Sequence, residues 1–196
     1  MSQIHGGHRE RMRKRLESEG LDGFAPHEVL ELILFYSIPR SDTNPIAHRL
    51  LERLGSLSAV FEAPISELTK VEGIGENSAA LLSMIPQITK RYLIDKNKKG
   101  VVLDSINKIG EFIMPYYIGS NVEKFYLICL DKKCKLLNCT LMAEGSFDNV
   151  TVDMRMVCKV ALDCSATSVV LSHNHAQGFA IPSANDVLVT EQVAES

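Results

Sequence analysis

Between Ile94 and Val101 the chain changes texture, and that change decides what it can fold into. From Ala25 to about Ile94 the apolar residues recur three and four apart, as in His27-Glu-Val-Leu-Glu-Leu-Ile-Leu-Phe-Tyr36 and Pro45-Ile-Ala-His-Arg-Leu-Leu-Glu-Arg-Leu54, with Pro or Gly at the breaks. A helix repeats every 3.6 residues, so this spacing gathers apolar side chains on one face; the half reads as a cluster of short helices. Asp95-Lys-Asn-Lys-Lys-Gly100 is polar and ends in Gly, and Val101-Val-Leu103 beyond it is apolar and β-branched. The boundary is placed there, giving a helical domain over 1–95, a linker over 96–100 and a second domain over 101–196.

In the second domain Ser105–Tyr117 reads as a helix, Lys124–Leu130 as a buried strand, and Lys135–Met142 as a second strand after the Asp131-Lys-Lys turn. Met154–Cys164 has helical spacing, and Thr167–Ser172 is a short β-rich run. The fold class expected is therefore α+β in two domains, all-α followed by mixed α/β. A hydrophobic fraction of 45% is enough for real cores. No stretch approaches the ~18 apolar residues needed to span a bilayer, and Met1–His8 has no apolar signal region. The five cysteines form no C-x-x-C pair and read as buried reduced thiols, as expected of a cytoplasmic protein with no membrane association.

The last strand runs into Ser172-His173-Asn174-His175. Alternate side chains of an extended chain share a face, so both imidazoles can point at one ion. Asp186 follows after a stretch containing Gly178 and Pro182, which let the chain turn back, and Ser183-Ala-Asn-Asp186 opens an apolar-periodic helix. Two His and one carboxylate suit a zinc ion that keeps a fourth position for water, and hence metal-assisted hydrolysis. The same tetrapeptide is also a capping box, with Ser183 as N-cap and a carboxylate at N3, which would cap the helix with or without metal.

Ser172 to Asp186 resembles the H-x-H…S-x-x-D signature of JAB/MPN metalloproteins, in the form HNHPSG…PS-x-x-D found in the RadC family. Gly7-His-Arg-Glu-Arg11, His27–Phe35 and Thr69-Lys-Val-Glu-Gly-Ile-Gly75 resemble that family's leading helical domain, so the likeness covers almost the whole chain. The resemblance implies a helix-hairpin-helix module joined to a JAB/MPN domain with a cytidine-deaminase-like core. It also implies zinc on His173, His175 and Asp186, oxyanion support from Ser183, and an upstream Glu as general acid/base. Counting back from Gly145-Ser146 lands on Thr140 or Leu141, so the nearest carboxylate, Glu144, takes that role; it would share a face with Thr140 if the strand continues. Ala176-Gln177 stands where the family has Pro-Ser, which alters the loop's stiffness and removes no ligand. The chain stops at Ser196 inside the helix begun at Ala184, where the family continues, and so reads as truncated.

Gly73-Ile74-Gly75, before the helix opening at Glu76, is the hairpin turn expected to meet DNA backbone through its amides and the following helix N-terminus. Charge favours a protein-packing hairpin instead: Glu72 and Glu76 flank the turn, and residues 1–95 carry 11 Lys/Arg against 13 Asp/Glu. The chain as a whole has a formal charge of -3, so any DNA contact is local. The richer basic run is His8-Arg-Glu-Arg-Met-Arg-Lys-Arg15. Two expectations follow. One is a zinc-dependent JAB/MPN-type hydrolase acting on a protein or peptide in DNA repair or metabolism. The other is a non-catalytic DNA-associated adaptor with a structural or vestigial metal site.

Overall fold

The computed structural model describes residues 3–96, 100–145, 153–175 and 180–195, with side chains from residue 7 onward. Contacts divide the chain into two compact units, residues 1–88 and 89–196, with the division inside one long helix. No helix among the described residues is long and apolar enough to cross a membrane.

The first unit is helical: α1 (Gln3–Glu19), α2 (Pro26–Ser37), α3 (Asn44–Leu54), α4 (Leu57–Glu62), α5 (Ile65–Leu68) and the start of α6 (Glu76–Lys96). Local chemistry starts and stops these helices. Pro26 opens α2, whose Glu28 carboxylate accepts from Ala25 N–H at 2.8 Å; Ser56 Oγ accepts from Ala59 N–H to begin α4. Leu30, Leu34, Leu50, Val60, Leu68 and Leu82 are fully buried in a common core, as the three-and-four spacing requires. Each such side chain contributes roughly 1.5–3 kcal/mol by leaving water. Glu31, buried beside this core, is held by His8 Nε2 and Asn44 Nδ2, both at 2.9 Å from its carboxylate. In the turn before α6, Val71 and Ile74 are buried, and Gly73 has φ +94°. A Cβ at Gly73 would lie 2.8 Å from Ile46 Cδ1, so backbone conformation and packing both demand glycine there.

The second unit holds α7 (Ile106–Tyr117), β1 (Glu123–Leu130), β2 (Leu136–Gly145), α8 (Met154–Asp163), β3 (Ser168–His173) and α9 (Ala184–Glu195). The strands form one antiparallel sheet in the order β2-β1-β3. The central strand is covered on both faces, which is why it reads as a continuous apolar run rather than an alternating one. Phe125, Leu127 and Cys129 pack with Val157 of α8 and Val189 of α9; Tyr126, Ile128 and Leu130 pack with Phe112 and Ile113 of α7.

One irregularity bears on function. Phe125 pairs with Ala143 and Tyr126 with Leu141, leaving Met142 as an extra residue in β2. A bulge of this kind reverses the alternation of faces beyond it. Thr140 pairs with Leu127, on the α8/α9 face, while Glu144 pairs with Lys124, on the other. The expectation that Glu144 shares a face with Thr140 therefore fails, although the strand does continue through Gly145.

Candidate metal centre

β3 ends on His173, which pairs with Phe125 and so projects on the α8/α9 face of the sheet. Ser172 projects the other way, its hydroxyl 2.7 Å from Tyr117 Oη. His175 follows just beyond the strand end. Asp186 comes from the first turn of α9, where Ser183 and Asp186 form a reciprocal cap: Ser183 N–H donates to Asp186 Oδ2 at 2.6 Å, and Asp186 N–H donates to Ser183 Oγ at 3.2 Å. Ala176, Gln177, Gly178 and Ser146 lie outside the described residues.

The three side chains converge. His173 Nε2 is 3.1 Å from His175 Nε2 and 3.3 Å from Asp186 Oδ2, and His175 Nε2 is 3.8 Å from Asp186 Oδ2. Two bonds of ~2.0–2.1 Å at a tetrahedral angle set ligand atoms about 3.4 Å apart, so the spacings straddle what zinc requires. Asp186 is buried, and its Oδ1 has no hydrogen-bond partner. A buried carboxylate oxygen without a partner is costly in water-excluding surroundings unless a cation completes it. Burial pushes the Asp186 carboxyl up, but hydrogen bonds from Ser183 together with His173 and His175 outweigh it and hold the group below the usual carboxylate range. The anionic form is the one a metal needs. Among the described residues no other cluster of three or more His, Cys, Asp or Glu comes together in this way. The cysteines take no part: burial pushes the Cys129 thiol up to about 11 and the Cys139 thiol up to about 12, away from the thiolate form.

Of the site residues expected from the sequence, His173, His175, Asp186 and Ser183 are brought together and Glu144 is not. Its carboxylate pairs with Lys124 Nζ at 3.3 Å on the far face of the sheet. The carboxylate that does reach the cluster is Glu123, whose Oε1 lies 3.6 Å from His175 Nδ1, while His175 Nε2 is the nitrogen that faces His173 and Asp186. Its place follows from register. Phe125 pairs with His173, so Glu123, two residues earlier on β1, comes opposite His175, two residues beyond the end of β3. A carboxylate on the first residue of a central strand, two before Phe125, was the signal in the sequence; its meaning depended on knowing that β1 lies beside β3. A cavity of about 310 Å3 opens next to the cluster, walled by Phe125, Leu171, Pro182, Val187 and Val189 with His173 and Asp186 at its polar end.

Gly73, Ile74 and Gly75 belong to the helical unit. There the Arg49 guanidinium donates to Glu72 C=O through Nε at 3.1 Å and Nη2 at 3.0 Å, closing the turn before α6. Nothing approaches a Cβ built on Gly75, so that backbone faces open space.

Comparison with known proteins bears on these arrangements. Residues 103–196 match the RadC-like JAB domain. Over 196 aligned positions the chain is 34% identical to a UPF0758 protein of Fusobacterium nucleatum subsp. nucleatum, an alignment covering 96% of this chain and 84% of that protein.

Proposed function

The chain belongs to the RadC family, and from that premise we propose that it is a zinc-dependent hydrolase of JAB type that cleaves an amide bond in a protein or peptide. The observation carrying this reading is the meeting of His173 Nε2, His175 Nε2 and Asp186 Oδ2 at tetrahedral ligand spacing, with the Glu123 carboxylate beside them. Bound there, zinc would polarise a carbonyl and acidify a water toward a pKa of ~7. The protein's own groups do the rest. Glu123 rests one oxygen against His175 Nδ1, and its second oxygen would take the proton of the attacking water through one bridging water and return it to the leaving amine. Ser183 Oγ serves the cap as an acceptor, which leaves its O–H as a donor toward Asp186 or toward the developing oxyanion. The open cavity beside the ligands, with Phe125, Leu171 and Val189 on its apolar wall, offers room for the substrate chain on one side of the reacting carbonyl.

Chelator dialysis is expected to abolish cleavage of a quenched-fluorescent peptide or isopeptide library, and added zinc to restore it. Cleavage that persists in the metal-free protein would remove this reading.

The helical unit supports a second component, local association with DNA backbone. Burial of Ile74 anchors the turn while Gly75 stays open, which suits a backbone amide meeting a phosphate. If the unit serves as a DNA module, affinity for duplex should fall with added salt at a slope matching a few phosphates. A slope near zero would exclude it, and with it the reading of the chain as a DNA-bound adaptor.

A further inference from the structure

We infer that Asn174, between the two histidines, is a positioning residue that holds Glu123 against His175. This rests on the reading of His173, His175 and Asp186 as a zinc site. The β1–β3 ladder ends at Phe125 and His173. One step further the Asn174 carboxamide stands in for strand backbone: its Oδ1 accepts from Lys124 N–H at 2.8 Å, and its Nδ2 donates to Val122 C=O at 3.3 Å. On an extended chain these two groups point the same way and flank the residue between them. That residue is Glu123.

The clamp has a defined target. Glu123 is held to β2 through its pairing with Gly145, and on the β3 side Asn174 bonds the backbone immediately before and after it. At 3.6 Å from His175 Nδ1 the Glu123 carboxylate is at ion-pair distance, and a carboxylate that closes onto the outer nitrogen of a metal-binding imidazole fixes its tautomer and ring orientation, worth about 10–100-fold in metal affinity. Asn174 thus acts on the site through Glu123. It does so from the position between the two imidazoles, reaching sideways to the β1 backbone. Asparagine suits the task because it supplies acceptor and donor on one short arm; alanine supplies neither, and aspartate only the acceptor.

The test uses the full chain and zinc alone as probe. In Asn174→Ala, amide hydrogen exchange at Lys124 should rise about tenfold or more while Leu127 and Ile128 in the same strand stay protected; Asn174→Asp, keeping the acceptor, should retain protection at Lys124. Asn174→Ala and Glu123→Gln should each weaken zinc affinity about tenfold, and the double variant should be no weaker than either alone. Unchanged exchange at Lys124 in Asn174→Ala would overturn the clamp. Losses that multiply to about 100-fold in the double variant would show Asn174 acting independently of Glu123 and overturn the positioning role. A wild-type protein that binds no zinc removes the metal reading itself, and the exchange at Lys124 then decides the clamp separately. Tight zinc with a non-additive cycle but no cleavage of any peptide would leave this inference standing while the hydrolase reading fell.

Discussion

Glu123→Gln, assayed at saturating zinc, is expected to lose about 10²–10⁴-fold in hydrolysis while the site stays loaded. Glutamine matches the shape of glutamate and can still hydrogen-bond, but it cannot take a proton from the attacking water. The companion variant Glu144→Gln is expected to stay within about twofold of wild type. Its carboxylate pairs with Lys124 at 3.3 Å across β1 and β2, on the sheet face turned away from His173. Glu144 is half exposed, and glutamine keeps an oxygen for Lys124, so the fold should survive the loss of the charge. The reverse result, activity lost with Glu144 and kept with Glu123, would place the proton transfer on the wrong face of this sheet and break the mechanism.

Asp186→Asn separates the two meanings of Ser183-x-x-Asp186. An asparagine at N3 keeps an oxygen for Ser183 N–H, now 2.6 Å from Asp186 Oδ2, so the cap survives and stability should change by no more than about 1 kcal/mol. It lacks the charge that the two imidazoles share at 3.3 and 3.8 Å, and zinc affinity should fall at least about 100-fold. Thermal unfolding and a zinc titration on the same preparation give both numbers. A variant that melts early yet binds zinc as wild type does would make Asp186 a cap and nothing more.

The elements of the second unit were legible because each carries its own signal. Ser105 caps α7, the Asp131 turn separates two strands, and Thr167–Ser172 is a β-rich run that overlaps β3. The clustered side chains were legible for the same reason: His173 and His175 are two apart at one strand end, and Asp186 is bound to Ser183 by a four-residue motif. Glu123 was not, because nothing within its own segment links it to a histidine fifty residues on. That link is the antiparallel register of β1 on β3, a property of pairing rather than of spacing. Glu144 was misplaced by one unpaired residue, Met142, since a single bulge reverses every face beyond it. The same limit applies to Asn174, whose bonds to Lys124 and Val122 exist only once the two strands lie side by side.

The most direct measurement is zinc content per chain, by elemental analysis of purified wild-type protein beside a His173→Ala, His175→Ala double variant after identical handling. The geometry of the cluster predicts about one zinc per wild-type chain and none in the variant. Equal zinc in the two proteins would contradict it.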